Sequence, residues 1–207
     1  MGFDLDLTLA DTRDGIAAVY DALSERLGVF IDGSVAASRL GPPLEVELAH
    51  WLPPEEIPEA AALYRSVYAD IAVPATTAMP GAAEAVEAVR RAGGGVIVVT
   101  GKNVADARRT LGAIGLEADE VVGSVFGADK GAALADFGAA AYVGDHVADI
   151  AAARAGAALS VTVATGPYTA DQLRDHGADV VLADLTGFAE WYDAWRFREI
   201  GAVSTVT

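Results

Sequence analysis

The sequence has 207 residues, 53% hydrophobic and 21% charged, with a formal charge of −16 at pH 7, so a sizeable core is expected and disorder is not. That acidity argues against nucleic acid and anionic membranes as partners and repels a phosphorylated substrate too, so phosphate chemistry needs a local reversal of field from a metal ion or a placed lysine. With no cysteine, disulfides, zinc–thiolate sites and cysteine nucleophiles are excluded; no apolar run approaches the ~20 residues that cross a bilayer, no secretory signal is visible, and cytoplasm is the expected address.

Gly2 to Leu9 reads as a strand end running into a turn, with Asp4, Asp6 and Thr8 alternating with apolar residues at the two-residue period of an extended segment. From Asp14 to Leu27, Ile16, Val19, Tyr20, Leu23 and Leu27 recur at helical spacing, and Gly28 is suited to cap the helix. Gly41-Pro42-Pro43 punctuates a break before a short helix over Leu44–Leu52. Pro53-Pro54 then opens a helix with Ile57, Ala61, Tyr64, Val67, Tyr68 and Ile71 on one face. Roughly residues 14 to 75 therefore read as helical, without a strand signal.

After Pro80-Gly81 strands and helices alternate. A helix is predicted over Ala82–Arg91, and a continuous apolar strand over Gly95–Thr100, as expected of a strand covered on both faces. Next come a helix around Val104–Ile114, a weaker strand over Val121–Phe126, a short helix over Lys130–Phe137 and a strand over Ala139–Val143. Helices follow at Asp149–Ala155 and Thr169–His176, with strands at Leu159–Val163 and Val180–Leu182. A last helix is predicted over Leu185–Trp195, with Trp191 and Trp195 as packing residues.

The alternation predicts an α/β fold, a Rossmann-like parallel sheet with helices on both faces. The helical stretch after the first strand breaks that rhythm and reads as a small inserted domain. The expected division is a core over 1–13 and 79–195, a helical insert over 14–78 and a loose tail over 196–207.

Ligands of open parallel sheets bind beyond the carboxyl ends of the strands. There this chain places Asp4 and Asp6, then Thr100-Gly101-Lys102, then Lys130, then Gly144-Asp145-His146 with Asp149 one helical turn on. Lys102 and Lys130 are the two lysines of the protein. The set suits phosphoryl transfer. Asp4 and Asp145 can share a hard cation, for which magnesium takes a few carboxylates and several waters. A cation and a lysine would cancel the repulsion between a carboxylate and a phosphate. Asp6 can protonate a leaving oxygen and later accept a proton from water. Thr100 and nearby backbone N–H groups can hold phosphoryl oxygens.

Four motifs stand in order: Asp4-x-Asp6-x-Thr8, Thr100 after an apolar strand, Lys130, and Gly144-Asp145 followed by Asp149. With Arg39-Leu40-Gly41-Pro42-Pro43-Leu44, Pro80-Gly81 and Thr165-Gly166 as flanks, residues 2 to about 190 resemble the haloacid dehalogenase superfamily, and its phosphoglycolate-phosphatase-like members in particular. The resemblance implies a helical cap domain and a magnesium-dependent phosphatase of a small phosphorylated metabolite. It makes Asp4 the nucleophile, Asp6 the acid and base that also lends its backbone carbonyl to magnesium, and Thr100 and Lys130 the phosphoryl-holding pair. Asp145 is then a metal ligand and Asp149 a ligand or a holder of metal-bound water. Thr8, Gly101, Lys102 and Arg39 are further candidate substrate contacts, although a loop lysine and a surface arginine are competing readings of the last two.

This chain departs from the family in carrying Leu7 where most members have glycine and in having three residues before Asp4. His146 is read as a non-ligand because magnesium prefers oxygen. Asp6 argues against a dehalogenase, and a cap without lysine argues against phosphonate cleavage. A phosphosugar mutase keeps both aspartates and remains an alternative. A phospho-accepting signalling domain is shorter, with its accepting acid on a middle strand. The natural substrate and the oligomeric state are not readable; a homodimer is left open.

Overall fold

A computed structural model describes residues 1–204. The main sheet has six strands, all parallel, in the order β5-β4-β1-β6-β7-β8: β1 Gly2–Phe3, β4 Ile97–Val99, β5 Glu120–Val122, β6 Ala141–Gly144, β7 Leu159–Val163 and β8 Val180–Leu182. Numbered by their order in the sheet-forming chain, the strands run 3-2-1-4-5-6, the doubly wound arrangement whose direction of winding reverses beside the first strand. The reversal lies between β1 and β6, so the crevice beyond their carboxyl ends is set by topology.

Strand periodicity divides the core in two. Phe3, Val96, Val98, Ala141 and Val143 face one cluster with α5 (Ala82–Arg91), α6 (Val104–Ala113) and α10 (Phe188–Ser204). Ile97, Val99 and Tyr142 face the other, with α7 (Lys130–Phe137) and α8 (Val147–Ala155). Residues such as Ile97 and Val98 are both buried because helices cover both faces, which is why the sequence reads there as an unbroken apolar run. The remaining sheet-side helix, α9, spans Ala170–Asp175.

Helices α1 (Arg13–Leu27), α2 (Gly33–Ser38), α3 (Leu44–Leu48) and α4 (Ile57–Ala75) build a separate core from Ile16, Val19, Leu23, Leu48, Tyr64, Tyr68 and their neighbours. Two short strands, β2 (Ala10–Asp11) and β3 (Thr77–Ala78), pair antiparallel where the chain leaves and re-enters the sheet domain. The sequence gives no sign of this pair, since two residues cannot display a period. Helix α2 falls within the stretch expected to be helical, though its bounds carry no periodic signal; Asp32 starts it by accepting from the Val35 backbone N–H at 3.0 Å.

Three expectations need correction. The strand bearing Asp4 does not continue extended through Thr8. It ends at Phe3, and the chain curls around the Leu5 carbonyl, which accepts from Leu9 and Ala10, both at 2.9 Å. Leu7 stands at φ 59°, in the left-handed region, where a side chain costs roughly 1–2 kcal/mol; this is the position at which most members of the family it resembles carry glycine. The strand expected to reach Phe126 stops at Val122. The last helix does not end at Trp195 but runs to Ser204, while residues 205–207 of the expected tail lie outside the described residues. Among the described residues no helix is long and apolar enough to cross a membrane.

Helix α10 docks through its first turns. Phe188 is fully buried, with ring centroids 5.5 Å from Phe3 and from Tyr192, whereas Phe197 is 78% exposed. Phe188→Ala should destabilise the protein by about 3–5 kcal/mol in a denaturant titration, the usual cost of truncating a buried aromatic. Phe197→Ala should stay within about 0.5 kcal/mol of the parent; equal losses at both positions would contradict this docking.

Candidate active site

The residues just past the two central strands project acids into the crevice between them. Asp4 follows β1, held in line by its backbone N–H on the Val143 carbonyl at 2.8 Å; Asp145 follows β6; Asp149 sits in the first turn of α8. One oxygen from each of these buried carboxylates lies within 4.8 Å of the others. The backbone is shaped to this crowding. A Cβ on Gly166 would fall 1.9 Å from Asp145 Oδ2, and one on Gly144 would fall 2.3 Å from Asp149 Oδ2.

Lys130 enters the cluster from below. As the first residue of α7 it stands at the helix end that disfavours cations, yet it is 2% exposed. Its Nζ lies 2.8 Å from Asp149 Oδ1, 3.2 Å from Asp4 Oδ1 and 2.8 Å from the Tyr142 hydroxyl, which in turn donates to the Val99 carbonyl at 2.7 Å. Burial works against the ammonium, but Asp149 and Asp4 outweigh it and hold Lys130 above the ordinary lysine range.

One ammonium does not balance three buried carboxylates. Burial pushes Asp4 up to about 7, with Asp149 and Asp6 adding to the rise and Lys130 opposing it. Burial likewise drives Asp145 well above the carboxylate range, aided by Asp149 and Asp4. Asp4 Oδ1 is buried and, beyond its ion pair with Lys130, has no hydrogen-bond partner among the described residues. An oxygen-only donor set short of positive charge fits a hard divalent cation. Thr8 donates to Asp145 Oδ1 at 3.0 Å, and the Asp149 carboxylate is further fixed by the His146 backbone N–H at 3.1 Å.

Asp6 points elsewhere. Its Oδ1 accepts from Thr12 Oγ1 at 2.6 Å and from Lys102 Nζ at 2.8 Å. Thr12 is the residue that precedes α1 and uses its hydroxyl on Asp6 instead of capping that helix. Lys102 is no exposed loop lysine: its side chain is 9% exposed and its Nζ lies 4.7 Å from the Tyr68 ring centroid. Burial opposes its charge, but Asp6 more than offsets this and raises it. Thr100 is buried beside it, its hydroxyl accepting from the Lys102 backbone N–H at 3.2 Å.

Asp4, Asp6, Thr100, Gly101 and Lys102 floor a cavity of about 280 Å³ roofed by the helical insert, including Tyr20, Leu44, Tyr64 and Tyr68. Two candidate substrate contacts lie outside it. Arg39 is taken up by Glu47, its Nε 3.0 Å from Oε2, and its guanidinium packs 5.5 Å from the Trp51 ring centroid. The cause is local: α3 brings Glu47 beside it, where it also accepts from Trp51 Nε1 at 2.9 Å. Thr8 is fully buried and spends its hydroxyl on Asp145. The His146 Nδ1 accepts from the Ala148 backbone N–H at 2.9 Å, and its ring packs edge-on to Tyr168; it is not in the acid cluster.

Sequence reasoning missed Tyr142, whose hydroxyl links Lys130 to the sheet, and the tyrosines of the roof. Tyr142 looked like one more apolar strand position. Tyr20, Tyr64 and Tyr68 were legible only as the buried face of helices.

A family model described as a haloacid dehalogenase-like hydrolase matches residues 2–156. The chain is 29% identical over 202 residues to a protein of Dickeya dadantii called probable phosphatase IndB, covering 87% of both chains. Its fold is similar to a haloacid dehalogenase-like family hydrolase from Streptococcus pneumoniae, with a TM-score of 0.80 at 23% identity over 92% of this chain and 96% of the other. A HAD family hydrolase from Deinococcus radiodurans with bound phosphate and sodium aligns with a TM-score of 0.65 at 22% identity, over 89% and 90% of the two chains.

If the acid cluster holds a divalent cation, magnesium at about 100 times its dissociation constant should add about 2.7 kcal/mol of stability. At ~2–4 °C per kcal/mol for a chain of this size, the melting midpoint should rise visibly. The rise should be lost in Asp145→Asn. An equal rise in parent and variant would place the ion elsewhere.

Proposed function

This chain belongs to the haloacid dehalogenase-like hydrolases, and from that premise we propose that it is a magnesium-dependent phosphatase of a small phosphorylated metabolite, working through an aspartyl phosphate on Asp4. The observation that carries this reading is the buried trio Asp4, Asp145 and Asp149 at the reversal point of the sheet, with Lys130 3.2 Å from Asp4. Asp4, Asp145 and Asp149 would hold the magnesium, whose charge would offset that of the phosphoryl group.

In the proposed reaction Asp4 attacks phosphorus and the bond from phosphorus to the leaving oxygen breaks. Lys130 holds Asp4 in place and neutralises part of the charge that gathers there. Thr100 and the backbone N–H groups after it receive phosphoryl oxygens. Asp6 delivers the proton to the leaving oxygen through Oδ2, while Thr12 and Lys102 keep their hold on Oδ1. In the second half Asp6 takes a proton from the water that attacks the phosphorus, releasing inorganic phosphate and restoring Asp4.

We further propose that the helical unit over 14–78 acts as a cap on the core over 1–13 and 79–195. The paired strands β2 and β3 carry both crossings side by side, a natural place for a hinge. Closure would exclude water from the phosphoryl contacts.

Activity toward phosphate monoesters should disappear with a chelator, return with magnesium, and be absent from Asp4→Asn. Asp6→Asn should lose about 10²–10⁴-fold on an alkyl phosphate, the usual range for a missing general acid or base. Phosphate transfer from nitrophenyl phosphate to the enzyme, followed in a single turnover, should suffer less because that leaving group needs little protonation. Equal losses on both esters would remove Asp6 from the role.

A further inference from the structure

We infer that the leaving-group half of the cavity is built for an uncharged group with a flat apolar body, and that it selects against substrates whose leaving group carries a carboxylate. The inference rests on the phosphatase reading above and adds the substrate class.

The charges come first. Apart from Asp4, the cavity is lined by the acids Asp6, Glu45 and Asp106 and by the cations Lys102 and Arg65. Both cations are taken. Lys102 is paired with Asp6 at 2.8 Å, and Arg65 with Glu45 across the rim. Asp106 is held by Arg109 at 2.7 Å and Asn103 at 2.6 Å. Arg39, the other cation of the cavity-lining loop's neighbourhood, is bound to Glu47. A carboxylate on the leaving group would have to displace Asp6 or Glu45 from its partner and then remain beside it. At the largely buried Asp6–Lys102 pair that exchange gains nothing and leaves one carboxylate unpaired, and at the exposed Glu45–Arg65 pair water screens whatever a new partner could gain.

What the cavity offers instead is aromatic surface. Tyr20 and Tyr64 have centroids 5.1 Å apart, Tyr64 and Tyr68 5.9 Å apart, and all three line the space with Ile16, Leu40 and Leu44. Such a wall attracts a planar apolar group through burial and ring contacts. The Tyr68 hydroxyl is engaged by Thr110 at 3.2 Å. The Tyr20 and Tyr64 hydroxyls are not among the side-chain atoms buried without a partner, and on the cavity wall they can meet a hydroxyl or carbonyl of the bound group.

Three measurements test this. Hydrolysis of acetyl phosphate with magnesium, which makes little use of the leaving-group wall, reports the phosphoryl machinery; no turnover there would defeat the phosphatase reading. Second, kcat/KM for benzyl phosphate should exceed that for 2-phosphoglycolate by about tenfold or more, the range over which apolar pockets discriminate. Tyr64→Leu, which keeps apolar bulk on α4, should bring that ratio down. Glu45→Gln, at an exposed position, should free Arg65 and raise kcat/KM for 2-phosphoglycolate. Third, benzylphosphonate should raise the melting midpoint more than phosphonoacetate does, a comparison that needs no turnover. If phosphonoacetate stabilises equally or better, or 2-phosphoglycolate is the better substrate, the subsite inference is overturned while the phosphatase reading stands on acetyl phosphate.

Discussion

Three carboxylates buried around one ammonium are the constraint on which this structure depends. Asp4, Asp145 and Asp149 converge with Lys130 where the sheet reverses its winding. Left to themselves, buried acids at this spacing resist ionisation, which is the physical sense of the raised Asp4 and Asp145. Much of the surrounding chain reads as a response to that charge. Gly144 and Gly166 leave room for carboxylates that a methyl group would strike. Thr8 and the His146 backbone N–H each fix one acid by a hydrogen bond. Tyr142 anchors the lysine to the carbonyl of Val99. The strained left-handed Leu7 belongs to the same turn, and its carbonyl accepts from Thr165 at 2.6 Å.

Beside this cluster the protein keeps a second set of charges. Asp6, Lys102 and Thr12 form a chain of contacts at the edge of the acid trio, joining the strand end, the loop after β4 and the residue before α1. Asp6 is thus held by one residue of the core and one at the entrance to the helical insert. A movement of the insert would act directly on Asp6, which couples the roof of the cavity to the group proposed to handle protons. The insert has its own hydrophobic core and meets the sheet domain through the β2–β3 pair and through contacts such as Tyr68 with Thr110.

The fold was legible to a large degree because its signals are local and periodic. The helix over Ala82–Arg91 and the helix from Lys130 to Phe137 lie where the sequence places them, and each strand of the six-stranded sheet was found within a few residues. Errors fell where local signals were short or ambiguous. The turn at Leu7 masqueraded as strand because alternating polarity also suits a loop with alternate residues buried. Helix α10 outran its periodicity because its later turns leave residues such as Phe197 exposed, so no apolar face marks them.

The sequence by itself determined the family, the parallel α/β architecture and the set of acids, hydroxyl and lysines at the strand ends, because strand and helix periods decide which residues fall at the carboxyl edge. Tertiary structure decided how those groups divide. It put Asp149 and Asp4 on Lys130 but Asp6 on Lys102, turned Thr8 toward Asp145, and gave Arg39 to Glu47. It also turned three tyrosines of an apparently ordinary helical core into a cavity wall. Such partnerships join residues as much as 137 positions apart, and no local period records which carboxylate a buried cation will reach.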